Sequence, residues 1–185
     1  MRSSIAVRNK RRILCVFPRY TPSFGTFNHA YRLMRGVKAF MPAQGLLLIA
    51  AYMPPSWQVR FIDENIAPAT AADFAWADVV MVSAMHIQAP QVRDIHARAK
   101  AAGKVTVLGG PSVSAAPEMY PELDYLHVGE LGDSTDALIA ALDESVAPPA
   151  QQVVFKTDRD SFAHSAELAD RLAFSPIQRR VRGAQ

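Results

Sequence analysis

Two places in this chain put small and polar residues where a packed strand would otherwise continue. The apolar run 79–82 ends in Ser83-Ala84-Met85-His86, and the run 105–108 ends in Gly109-Gly110-Pro111-Ser112. A serine hydroxyl at a strand end can donate or accept a hydrogen bond, and paired glycines let a flat or bulky group lie against bare backbone. That is the chemistry of holding a ligand. Transformation has less support: the sequence carries no Ser-His-Asp arrangement, no G-x-x-x-x-G-K phosphate loop and no pair of metal ligands on a helix. His86 sits where it could touch a ligand or simply face solvent, while His96, in a polar stretch of helix, is expected to be solvated. The single cysteine, Cys15, lies in an apolar run and reads as a small core residue. Alone it can form no internal disulfide, zinc site or cysteine-ligated cluster.

The elements that would position these residues follow from periodicity. Between the two runs, Val92, Ile95, Ala99 and Ala102 recur at near-helical spacing, and Gly103 is suited to follow a helix end. Strand, helix and strand of this kind belong to a parallel sheet buried on both faces, whose ligands bind at the carboxyl ends of the strands. Residues 13–17, ILCVF, form a first strand stopped by Pro18. A long connection follows in which Tyr20, Phe24, Phe27, Tyr31 and Phe40 are interleaved with Arg19, Arg32, Arg35 and Lys38, a composition suited to a cover. Pro42 opens a short helix, GLLLIAAYM, and residues 57–62 form a second strand leading into Asp63-Glu64-Asn65. That acidic triplet is a polar turn that could also hold a ribose or a basic side chain.

Asp73, Phe74 and Trp76 mark a short crossover, residues 112–116 a helical turn and residues 124–128 a fifth strand. The turn from Gly129 to Asp133 then enters a helix, STDALIAALDE, with Ser134 or Asp133 as its cap. Five strands alternating with helices predict an α/β, flavodoxin-like, doubly wound parallel sheet of order 2-1-3-4-5. Its crevice lies between strands one and three, where the aromatic connection and the loop after Ser83 would face each other.

The chain has 185 residues, half of them hydrophobic (50%), which is enough for one buried core. Residues 1–10 read as a basic leader, 11–145 as the domain, and 146–185 as a linker with a poorly ordered tail. Within that tail VVFK is at most an isolated edge strand. The net charge of +3 comes largely from the ends, whose arginines are expected to be solvated and not to bind nucleic acid. No apolar run approaches the roughly 18 residues of a membrane span, and no secretory signal is evident, so the expected location is cytoplasmic.

Ser83-Ala84-Met85 and Gly109-Gly110 together resemble the cobalamin-binding domain, in which a Ser-x-Leu motif ends one strand and Gly-Gly ends the next. Met85 stands in the leucine position, and VGELGD, with Gly129 and Glu130, is similar to the turn after strand five in that family. A closer resemblance is to the N-terminal half of cobalamin-dependent radical S-adenosylmethionine enzymes, particularly methylases acting on hopanoid lipids. It is carried by RRILCVFPRYTPSFGTF, FIDEN and VLGGPSVSAAPEMYPELDYLHVGELGD and covers roughly residues 11–155.

The resemblance implies that the chain binds cobalamin and that the Ser83 hydroxyl bonds the base of the corrinoid's nucleotide tail. Ala84, Met85 and His86 complete that strand-end loop. Gly109 and Gly110, followed by Pro111 and Ser112, make room for the tail, and Gly129 and Glu130 border its ribose or phosphate. Tyr20 and Tyr31 are the candidates from the aromatic connection. Many such domains carry Asp-x-His-x-x-Gly after strand one, whose histidine ligates cobalt; here Asn28-His29 and Gly36 lack that spacing. The lower face of cobalt is therefore expected to meet Tyr31, Leu33 or Met34 without strong ligation. The family's barrel holds an iron–sulfur cluster on Cys-x-x-x-Cys-x-x-Cys, which a chain with one cysteine does not contain. The expectation is a module that is not catalytic alone, truncated before that barrel or served by a radical S-adenosylmethionine domain in trans. A flavin- or nucleotide-binding module of the same fold, and a degenerate fragment that binds nothing, stay compatible with the same residues.

Overall fold

The β-branched runs pair side by side and all in one direction. The structure, a computed structural model, describes residues 7–21 and 43–158. His29, Tyr31, Leu33 and Met34, the rest of the aromatic connection and the chain beyond 158 lie outside the described residues. The strands are β1 (Arg12–Phe17), β2 (Gln58–Asp63), β3 (Val79–Ser83), β4 (Val105–Gly109), β5 (Tyr125–Val128) and β6 (Val153–Lys156). They form one parallel sheet in the order β2-β1-β3-β4-β5-β6. The expected order of the first five strands is present, but the sheet has six strands and not five. VVFK is its sixth, in register Tyr125↔Val153 to Val128↔Lys156. Two side-chain contacts hold it there: the Phe155 ring lies 5.8 Å from that of Tyr125, and Gln152 Nε2 donates to the carbonyls of Tyr120 (2.6 Å) and Leu123 (2.9 Å).

Five helices cover the two faces: α1 (Gln44–Tyr52), α2 (Ala71–Trp76), α3 (Ala89–Ala101), α4 (Pro111–Ala115) and α5 (Asp133–Glu144). Because side chains alternate along a strand, each of β1, β3, β4 and β5 supplies both cores. Ile13, Cys15, Val79, Met81, Val105, Val107 and Tyr125 pack with Leu46 and Ala50 of α1 and with Leu138, Ile139 and Leu142 of α5. On the opposite face Leu14, Val16, Val80, Val82, Leu108 and Leu126 meet Phe74, Val92, Ile95, Ala99 and Val113. Burial pushes the Cys15 thiol up to about 12, so it stays protonated as a core residue.

Helix ends follow local chemistry. Thr70 and Asp73 form a reciprocal capping box at α2. Gly103, at φ 69°, follows α3 as expected. At α5 the two expected candidates part company: Asp133 Oδ1 accepts the first-turn N–H of Ser134 (2.7 Å), whereas the Ser134 side chain is turned into the sheet, and the Thr135 hydroxyl accepts from the Gly132 N–H (3.1 Å). The described part of the leader, and Arg11 just after it, also differ from a solvated arm. Arg8 and Asn9 donate backbone N–H groups to the Asp143 carboxylate (both 2.8 Å), and Arg11 donates to the carbonyls of Leu142 (2.8 Å) and Asp143 (2.5 Å). These are carbonyls that a helix end leaves without partners, so arginine chemistry that looked like solubility closes α5.

Candidate functional site

Alternation also dictates what reaches the carboxyl rim on the face covered by α1 and α5. Ser83 follows Val79 and Met81, Gly109 follows Val105 and Val107, and His127 follows Tyr125. The register pairs Ser83 with Gly109, and a Cβ built on Gly109 would lie 3.8 Å from the His127 Cβ. Three neighbouring strands thus present serine, glycine and histidine in a row. From the first turn of α1 comes Gly45, whose Cβ, if it had one, would be 3.8 Å from Ser83 Oγ. The Ser83 hydroxyl is half-buried and has no hydrogen-bond partner among the described residues. A half-buried hydroxyl between two missing side chains is set out for something to be bound.

The two adjacent glycines are there for different reasons. Gly109 leaves space, since its Cβ would make only ordinary contacts with His127. Gly110 makes the turn: at φ +95° it lies in the left-handed region, and a Cβ there would come within 2.5 Å of Ser83 Oγ and 3.2 Å of the Ala84 nitrogen. The loops after β3 and β4 are therefore pressed together, and the Ser112 N–H donates to the buried Ala84's carbonyl (3.1 Å). Met85, half-buried, packs against the α1/α5 core and donates its N–H to Gln88 Oε1 (2.9 Å). Gln88 is fully buried and donates from Nε2 to the Pro18 carbonyl (2.6 Å). Tyr20 is buried edge-on to Phe17, at 5.6 Å, and its N–H donates to Asn65 Oδ1 (2.8 Å). Of the acidic triplet, Glu64 pairs with Arg98 (2.8 Å) and Asp63 accepts from Asn65 (2.7 Å), so both its turn and its basic-side-chain readings are realised.

The structure brings Ser83, Ala84, Met85, Gly109 and Gly110 together. It sends Ser112 elsewhere: this side chain is buried, 2.5 Å from the Tyr120 hydroxyl and 3.3 Å from Nδ1 of the exposed His86, while Pro111 is exposed at the start of α4. Gly129 and Glu130 form an exposed turn at the β5/β6 side of the rim. There the Gly129 N–H donates to Ser114 Oγ (3.0 Å) and the Glu130 carbonyl accepts from the Thr157 hydroxyl.

Sequence reasoning missed Gly45, which reads as an ordinary helical glycine, and the polar cluster under α5. His127 Nε2 lies 2.9 Å from Thr135 Oγ1 and 3.0 Å from Ser134 Oγ, and the Ser134 hydroxyl is bonded to that of Thr157. Burial holds the His127 pKa below its ordinary value, partly offset by a backbone hydrogen bond. A histidine in a strand followed by Ser-Thr at the next helix start was the available signal. His96 is not freely solvated as expected: it is half-buried, its Nδ1 3.0 Å from Thr106 Oγ1, and burial lowers its pKa although Asp124 opposes the shift. Among the described residues no helix is long and apolar enough to cross a membrane.

Comparison with known proteins adds three findings. Residues 33–140 match the B12 binding domain family. The chain is 64% identical over 151 residues to hopanoid C-2 methylase of Rhodopseudomonas palustris, covering 82% of this chain and 29% of that protein. It is 32% identical over 107 residues to an uncharacterized methyltransferase of Synechocystis sp., covering 58% of this chain and 20% of the relative. The chain thus spans less than a third of the length of either relative.

Proposed function

The chain belongs to the B12 binding domain family, and from that premise we propose that it holds the nucleotide tail of cobalamin in the slot between the amino-terminal ends of α1 and α5. One observation carries the reading: the half-buried Ser83 hydroxyl has no partner among the described residues and is flanked by Gly45 and Gly109, neither of which fills the space beside it. The residues present fit such a group. Ser83 offers a hydrogen bond to the tail base, Gly109 and Gly45 leave room for a flat ring, and Met85 supplies an apolar wall. Gly110 and the backbone of Ala84 hold the slot in shape, and Gly129 and Glu130 lie along the rim toward β6, where a ribose or phosphate would emerge. Tyr20 completes the set on the β1 side, and Tyr31, which lies outside the described residues, stays a candidate from the sequence.

When bound, the corrinoid supplies a cobalt centre able to carry a methyl group. This chain's part is to bind and orient it for a radical S-adenosylmethionine catalytic domain, in a cytoplasmic methyltransferase system. Similarity to hopanoid C-2 methylase supports the methyltransferase part of that reading.

The test is direct. Purified protein is incubated with hydroxocobalamin, desalted, and its visible spectrum recorded; retained corrin absorbance is expected. A colourless protein overturns the proposal, and retained flavin absorbance points instead to a flavin-binding module of the same fold.

A further inference from the structure

The loop that leaves β3 carries a second polar arrangement, which ends at Tyr120 in the core on the sheet face away from α1 and α5. Tyr120 is fully buried (0% exposed), and among the described residues its hydroxyl meets one group, Ser112 Oγ at 2.5 Å. Ser112 is itself buried (2% exposed), and its Oγ lies 3.3 Å from Nδ1 of exposed His86. His86 Nε2 bonds to nothing among the described residues. Three groups in line, two buried and one open, leave few ways to place the protons.

A buried phenol proton needs an acceptor, and Ser112 Oγ is the one in reach. With Tyr120 donating to Ser112, the serine's own proton is directed at Nδ1, which must then be the unprotonated nitrogen. The ring proton consequently sits on Nε2. The reverse order, Nδ1–H donating to Ser112 and Ser112 to Tyr120, would strand the phenol proton of the fully buried Tyr120 without an acceptor among the described residues.

From this geometry we propose that Tyr120 and Ser112 are positioning residues that fix His86 as an outward Nε2–H donor, aimed at an oxygen acceptor on the corrinoid. The inference rests on the cobalamin reading above for the ligand, but not for the tautomer. A corrinoid offers such oxygens in two places, the amide carbonyls around its ring and the phosphodiester of its tail. His86 lies three residues after Ser83, on the loop that the Ser112 N–H fastens through Ala84. Ser112 thus has no free hydroxyl for the cofactor and acts through His86 instead.

Nitrogen NMR of the ligand-free, histidine-labelled full chain above neutral pH reads the tautomer, with His86→Ala identifying the signals. The wild type is expected to carry its proton on Nε2, and Tyr120→Phe to give a mixture; Ser112→Ala, which removes the middle hydroxyl, is the second variant should Tyr120→Phe fold poorly. A proton on Nδ1 in the wild type, or a tautomer unmoved in the variant that folds, overturns the positioning role. Binding is then titrated with hydroxocobalamin and with cobinamide, which lacks the tail phosphodiester. His86→Ala is expected to weaken binding about 5- to 10-fold. Weakening with both corrinoids assigns the acceptor to a ring amide, and weakening with hydroxocobalamin alone assigns it to the phosphodiester. Equal affinity of variant and wild type for both overturns the ligand contact. Binding of neither by the wild type overturns the cobalamin reading and the contact with it, leaving the tautomer to the NMR result.

Discussion

The rim at β3 and β4 and the rim at β5 and β6 use similar materials and are finished differently. At the first, the Ser83 hydroxyl bonds nothing among the described residues, and Gly109, its partner in register, brings no side chain of its own. At the second, His127, Ser134, Thr135, Thr157 and the Glu130 carbonyl bond to one another and close. Polar groups at a buried edge are costly unless partnered. A closed cluster therefore holds the fold together, whereas an open one is available to a ligand, and amino-acid type alone does not distinguish them.

That contrast can be broken most severely at Gly110. A valine there must adopt a left-handed backbone and push against Ser83 and Ala84, so Gly110→Val is expected to lose roughly 2–5 kcal/mol of stability by urea unfolding, together with corrinoid retention. Next comes Gly109→Leu, which fills the open rim without a backbone clash. Corrinoid affinity should fall by about 100-fold while the unfolding free energy stays within about 1 kcal/mol. Normal binding by the Gly109→Leu variant would remove this glycine from the site. Thr157→Val has the opposite balance: it opens the closed cluster and frees the Glu130 carbonyl, lowering stability by about 1–3 kcal/mol in the same unfolding assay while weakening corrinoid retention far less than Gly109→Leu does.

A pH series sharpens the comparison further. Burial lowers the His127 pKa in the fold below its ordinary 6.5, so on acidification the unfolded chain takes up the proton first. This contribution to stability is complete above pH 6.5 and declines as the pH falls below it. Half-buried His96 is shifted the same way, so the measurement is a difference: His127→Gln should show a shallower fall in urea midpoint below that pH than the wild type. Identical slopes would show that His127 titrates alike in both states. The smallest effect is expected for Ser83→Ala, about 3- to 10-fold weaker corrinoid binding with stability changed by less than about 0.5 kcal/mol, because the hydroxyl supports no other group among the described residues.

Much of this frame can be read from residue order. The runs 79–82 and 105–108 are β-branched and buried on both faces, so they announce central parallel strands, and the Gly109-Gly110 pair shows where they stop. β6 is obscure because Val153 and Val154 remain largely exposed, at 36% and 49%, and neither alternation nor burial marks so short an edge. The α5 cap is hidden from residue order because Ser134 and Asp133 are good local candidates. Only the tertiary pairing with His127 and Thr157 takes the Ser134 side chain away and leaves Asp133 and Thr135 to meet the N–H groups at the helix start. Ser112 shows the same limit within the site: its place after Gly110 suggests a ligand contact, but its orientation is decided by Tyr120, eight residues on and across a 3-10 turn.

The Pro18 carbonyl accepts from Gln88 Nε2 at 2.6 Å and from Asn65 Nδ2 at 3.4 Å. Gln88 belongs to the loop after β3 and Asn65 to the turn after β2, so three chain exits share a single mooring. Any segment leaving β1 starts from a post fixed by its two neighbours, and shortening either tether would shift the departure point of everything that follows Pro18.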